Sequence, residues 1–101
     1  MKIRDAIKDW PNLNRGGSFA GSDRIGLPNP ATTVIKDVSD RSDRGGNKIR
    51  IDVEEDNRPV SDKRPVSALV FFAEKAMFDR VFTPLRSTIG KTLNDAGNIS
   101  I

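Results

Sequence analysis

Asp52, Glu54, Glu55 and Asp56 fall within five consecutive residues, and hard oxygen ligands grouped in this way are what two-metal phosphodiester chemistry draws on. Such a centre takes carboxylates converging from more than one element, with a lysine to steady the attacking water, and Lys63 is the candidate for that part. Three of these carboxylates, Asp52, Glu54 and Glu55, close a segment of alternating character, KIRIDVEE over residues 48–55, in which Asp52 and Glu54 share a face with Lys48 and Arg50. Cross-strand charge pairing accounts for that pattern without a metal, so neither a metal nor another cofactor is expected.

Residues 89–92 read IGKT, the closing half of a phosphate-binding G-x4-G-K-[ST] loop. The first glycine of such a loop would stand at position 85, which is Leu85. The recurrence of Leu85, Ile89 and Leu93 every four residues puts the segment inside a helix, where backbone amides are not free to wrap a phosphate. Gly90 is therefore read as a close-packing point and Lys91 as a solvated charge.

The tripeptide Arg-Gly-Gly occurs at residues 15–17 and 44–46, a step that leaves arginine free to reach phosphates and stack on bases. Around the second copy, Arg41, Arg44, Lys48 and Arg50 put four cations on one predicted hairpin, a shape that fits a nucleic-acid groove or tracks a single strand. Arg15 and Arg24 are candidate auxiliaries. Against this, residues 32–66 hold eight basic and eight acidic side chains, and the aromatics expected outside the apolar helix, Trp10 and Phe19, do not lie on the hairpin.

The missing residue types exclude more than the present ones suggest. With no His and no Cys there is no imidazole base, thiolate nucleophile, Cys/His zinc site, disulfide or haem attachment. Nothing assembles a nucleophile, a base and an oxyanion site, so the chain is read as a non-enzyme. The charged N-terminus has no apolar core of a secretory signal and no run reaches the about 18 apolar residues of a membrane span; a cytoplasmic protein is expected.

These side chains need elements to hold them. In a chain of 101 residues, Leu, Ile, Val and Phe supply 26, above the roughly 20% below which a chain rarely offsets its ordering entropy. The chain should fold as a single domain around a small core, with residues 1–31 forming a short helix and an irregular arm and residues 32–101 the compact α+β part. Ile3, Ile7 and Trp10 share one helical face that Pro11 terminates; they must dock on the domain or on a partner, and with Phe19 they are the candidate partner-binding residues. Residues 32–39 read as a strand with Val34, Lys36 and Val38 on one face, and residues 48–55 as its antiparallel mate. The loop between them carries Gly45, Gly46 and Asn47 for positive-φ positions.

Residues 67–82, SALVFFAEKAMFDRVF, admit two readings. As a helix they place Leu69, Phe72, Ala73 and Ala76 on one stripe; alternatively, a buried third strand runs through Phe72 and a helix begins at Ala73. The helix is preferred for its length. An apolar window of this kind exposed at a sheet edge would pair with a copy of itself, so the fold must bury it. Thr83 and Pro84 form an N-cap and first-turn pair opening a further helix that Gly97 caps, and Ile99 and Ile101 alternate as a short strand. The architecture expected is a hairpin or small sheet covered by two C-terminal helices. The function expected is a protein-interaction module that docks on a larger complex or self-assembles as a homo-oligomer, with a nucleic-acid-binding accessory protein as the alternative and no membrane partner.

Overall fold

Period-two alternation carries directly into the sheet. The computed structural model describes residues 1–16, 29–55 and 67–101; Phe19, Arg24, Asp56, Lys63 and the connection over 56–66 lie outside the described residues. Strands β2 (Thr33–Asp40) and β3 (Asn47–Glu55) pair antiparallel as the sequence predicts, and Ile49, Ile51 and Val53 are wholly buried on one face of β3. One correction falls on β2. The pairing jumps from Ile35–Val53 to Asp37–Asp52, so Lys36 is an extra, bulged residue. A bulge shifts the phase of everything after it, which turns Ile35 and Val38, three residues apart, to the same face, where both are buried. Val34, Lys36 and Val38 do not share a face.

The tight end of the hairpin is held by local bonds. Asp43 and Gly46 exchange backbone bonds of 3.1 Å, and the Gly45 N–H donates to Asp43 Oδ1 at 2.7 Å. Of the three loop residues expected at positive φ, only Gly46 adopts it, at 134°. The Ser42 N–H donates to Asp40 Oδ1 at 2.8 Å, and that bond, followed by the Ser42 hydroxyl and the charge of Lys75, holds the Asp40 carboxyl below its ordinary value of 3.8. A depressed carboxylate favours the fold above its unfolded value and loses that contribution as pH falls through the folded one. An NMR titration should find the Asp40 midpoint below 3.8 and, in Ser42→Ala, shifted upward; a midpoint at or above the ordinary value would contradict the Asp40–Ser42 geometry.

Residues 67–73 are strand, not helix. β4 (Ser67–Ala73) pairs antiparallel with β3, and β1 (Asn14–Gly16), within the segment read as an irregular arm, pairs with β4 through Ala68–Val70. The sheet order is β1-β4-β3-β2, all antiparallel. Leu69 and Phe71 point into the core beside Ile51 and Ile49, which leaves Val70 and Phe72 on the opposite face.

Helix α2 (Lys75–Arg86) lies across the inner face and buries Phe78, Val81 and Leu85. Pro84 sits inside it, so Thr83 and Pro84 open no new helix. In the last turn the ring forfeits one hydrogen bond, while the buried stripe Phe78, Val81, Leu85 runs through it. The chain then turns, with Ile89 exposed and Gly90 at φ 93°. A side chain on Gly90 would meet nothing within 4 Å, so this glycine serves backbone conformation, not close packing. The Gly90 N–H donates to the Ile35 carbonyl and the Lys91 carbonyl accepts from the Ile35 N–H. Both groups are committed to the edge of β2, which leaves IGKT without a phosphate cradle.

Helix α3 (Leu93–Gly97) starts at Thr92, whose side chain accepts from the Asp95 N–H at 3.2 Å. The expected stripe of Leu85, Ile89 and Leu93 is thus split among three elements, and Gly97 is the last helical residue. Helix α1 at the N-terminus is short, Ile3–Ala6, but Ile3, Ile7 and Leu13 are all buried in the common core. Each fully buried aliphatic side chain contributes about 1.5–3 kcal/mol relative to exposure, which fixes the N-terminal segment to the body. The C-terminal tail pairs with that segment and not with the sheet: the Ile3 N–H donates to Ile99 O at 2.9 Å and the Ile101 N–H to Met1 O at 2.8 Å. No helix among the described residues is long and apolar enough to cross a membrane.

Candidate interaction surface

The outer face of the sheet is where the candidate cations meet an aromatic. Across β3 and β4, Lys48 stands opposite Phe72 and Arg50 opposite Val70, with Ser39 flanking Arg50 on β2. Phe72 is 61% exposed, and Lys48 Nζ lies 4.9 Å from its ring centroid, within the range of a cation–π contact. That contact holds the ring against the sheet on one side and leaves the rest of it to solvent.

Most charges on this face are already matched. Arg50 Nε meets Asp52 Oδ1 at 2.8 Å, Lys36 Nζ meets Glu54 Oε2 at 3.1 Å, and Lys48 Nζ approaches Asp43 Oδ2 at 3.8 Å. Exposed pairs of this kind are worth about 0–1 kcal/mol each, so they tune the surface potential more than they hold the fold. Asp52 and Glu54 are spoken for by a neighbouring Arg and a cross-strand Lys, and among the described residues no three carboxylates gather as a metal site would need. Arg41 and Arg44 remain exposed at the hairpin end, where Arg41 Nε is bonded to Ser39 Oγ at 3.3 Å. The backbone of Arg15 lies in β1, away from the hairpin loop on the far side of β4.

The residues read as partner-binding are distributed differently. Ile3 and Ile7 are 0% and 4% exposed, and so belong to the protein's own core. Trp10 is half-buried, its indole N–H donating to the Leu93 carbonyl at 3.2 Å. What faces solvent instead is Phe72, which the sequence reading assigned to the buried stripe of a helix.

Phe72 is among the residues that line a hollow of about 300 Å³, with Ala6 and Ile7 from the N-terminal segment and Phe71, Ala73 and Met77 from β4 and α2. Lys8 and Glu74 also line it, one charge of each sign in an otherwise apolar lining. A second hollow of about 290 Å³ shares Lys8, Phe71 and Phe72 and extends toward Asn12 and Leu13. Both lie at the small end of the about 300–1,000 Å³ typical of ligand sites, a size suited to single side chains. β1 covers only the Ala68–Val70 stretch of β4, so the last three residues of that strand border the hollows with no strand beyond them among the described residues.

Compared with known protein families, with characterised proteins and with solved structures, the chain matches none. The surface is therefore read from its own chemistry.

Proposed function

We propose that this protein is a small non-catalytic interaction module that engages a protein partner through Phe72 and the apolar hollow beside it. The observation that carries the reading is the 61% exposure of Phe72, which is also among the residues lining an apolar depression. Aromatic anchors next to pockets are where binding energy concentrates in protein interfaces, and a ring already held by Lys48 loses little freedom on binding. The ion-paired surroundings support the same reading, because a face whose charges largely cancel attracts phosphate weakly.

A second reading is favoured by Arg41 and Arg44, exposed beside the Lys48–Phe72 pair: a single nucleic-acid strand would stack one base on Phe72 and meet these cations with its phosphates. One set of variants separates the two. A tagged protein is used to capture partners from cell extract, and its affinity for a mixed-sequence oligonucleotide is measured over a salt series. The protein-partner reading expects a captured protein that Phe72→Glu loses and Arg41→Ala/Arg44→Ala retains, both variants melting as the parent does. Oligonucleotide binding whose log affinity falls by roughly 0.7 per phosphate contact with log salt, and which the double arginine variant abolishes, would favour the strand. Capture unaffected by Phe72→Glu would overturn the first reading.

A further inference from the structure

We propose that β1 guards a strand able to assemble with itself: when β1 lifts locally, the uncovered edge of β4 pairs with the β4 of a second copy of this chain. The inference goes beyond the Phe72 surface and stands on different observations, the pairing of β4 and its composition. One edge of β4 is closed along its whole length, with β3 paired to every residue from Ser67 to Ala73. The other is covered by the three residues of β1, which reach only Ala68–Val70. Beside Phe71 and Phe72 the chain has left the ladder, and Lys8, Asp9, Asn12 and Leu13 line with them a hollow of about 290 Å³. Among the described residues, β1 is the only strand paired along this edge.

The strand beneath this cover is suited to pairing with its own copies. SALVFFA carries no charge, no proline and no glycine over its seven residues, the composition of segments that stack as cross-β. Its outward positions do not break the pattern, since Val70 and Phe72 are apolar and Phe72 is 61% exposed. The far edge of the sheet is protected by several means at once. There the bulge at Lys36, the charges of Lys36 and Asp37, and the backbone bonds of Ile35 to Gly90 and Lys91 all oppose the addition of a strand, as edge protection generally does. On the β4 side the protection is the brevity of β1, which is too short to template further pairing. Once β1 lifts, Ala68–Val70 joins Phe71–Ala73 as one free edge of six residues, the length a cross-β spine needs.

Fibre formation by the full chain, followed by thioflavin fluorescence and fibre diffraction, tests this. After a lag the protein should give fibres with a spacing of about 4.7 Å along the axis. Asn14 and Val70 are register partners across β1 and β4, and such partners lie within the span of a disulfide. The chain has no cysteine of its own, so Asn14→Cys/Val70→Cys forms a single bond that locks the guard in place. Oxidation of this variant should lengthen the lag at least about tenfold over the same variant reduced, because the opening that exposes β4 is removed. A lock between the register partners of β2 and β3, Ser39→Cys/Arg50→Cys, should leave the lag unchanged on oxidation. Val70→Glu faces Arg50 and Phe72→Glu faces Lys48, so the monomer accommodates either carboxylate, as thermal unfolding verifies. In stacked copies the same charge recurs at every strand, and each variant should lengthen the lag at least about tenfold. No fibres from the parent, a lag indifferent to the β1–β4 lock or equally lengthened by the β2–β3 lock, or fibres indifferent to both carboxylates would overturn the inference.

Discussion

Leu69→Ala should lower stability by about 2–5 kcal/mol, the range for emptying a fully buried leucine site, whereas Phe72→Ala, three residues along, should cost at most about 1 kcal/mol, chiefly the cation–π contact with Lys48. Leu69 is 0% exposed and packs in the core; Phe72 is 61% exposed. The pair is diagnostic because the competing helical reading places Leu69 and Phe72 on one stripe and predicts large losses at both. With Phe71 on the inner face, Phe71→Ala should fall with Leu69→Ala. A small domain has about 5–15 kcal/mol in all, so the Leu69 variant is expected to unfold at markedly lower urea concentration with an unchanged slope. A Phe72→Ala loss as large as that of Leu69→Ala would show that the β3–β4 register is wrong.

The reason this strand is hard to read in the sequence is also the reason it is of interest. Alternation identifies a strand when one face is polar, as in residues 48–55, and the β2–β3 hairpin was legible on that ground together with its Gly-rich loop. In β4 the outward positions Val70 and Phe72 are apolar as well, which erases the period and leaves a continuous run compatible with helix. An apolar residue on a solvated face is both what hides the strand and what the proposed interaction draws on. Once residues 67–73 are placed beside β3, Phe72 falls opposite Lys48 without further information.

Other departures have equally local causes. The bulge at Lys36 leaves no compositional mark, since TVIKDVS alternates in either phase; only the need to bury both Ile35 and Val38 selects it. Thr83 and Pro84 carry a helix-start signal, but Phe78, Val81 and Leu85 form a stripe whose burial outweighs one forfeited hydrogen bond near a helix end. The four-residue recurrence through Leu93 is broken by Gly90, whose positive φ is incompatible with a continuing helix. The apolar face of the N-terminal residues calls for a docking place, and for Ile3 and Ile7 that place is the protein's own core, where the antiparallel bonds to the C-terminal tail bring Ile3.

The closest of these docking contacts makes a second strong prediction. A Cβ at Gly97 would lie 2.5 Å from Trp10 Nε1, 3.0 Å from its Cδ1 and 3.3 Å from Arg4 Cβ, the first of which no real side chain tolerates. Gly97 has ordinary helical φ, so alanine there would gain about 1 kcal/mol of helix propensity if the space were open. The structure predicts the opposite sign. To admit a methyl group the indole must move off α3 and give up its bond to the Leu93 carbonyl, and overpacking of about 1–3 kcal/mol together with a lost hydrogen bond of about 1 kcal/mol leaves a net destabilisation of roughly 1–3 kcal/mol. Trp10 is the only tryptophan, so the same displacement should red-shift the native fluorescence emission as the ring meets water. The two effects are coupled: in a Trp10→Ala background the obstruction is gone, and Gly97→Ala should become neutral or stabilising. Gly97→Ala that raises the melting temperature with unchanged emission would mean that Trp10 does not rest on this glycine, and the docking of the N-terminal segment on α3 would have to be abandoned.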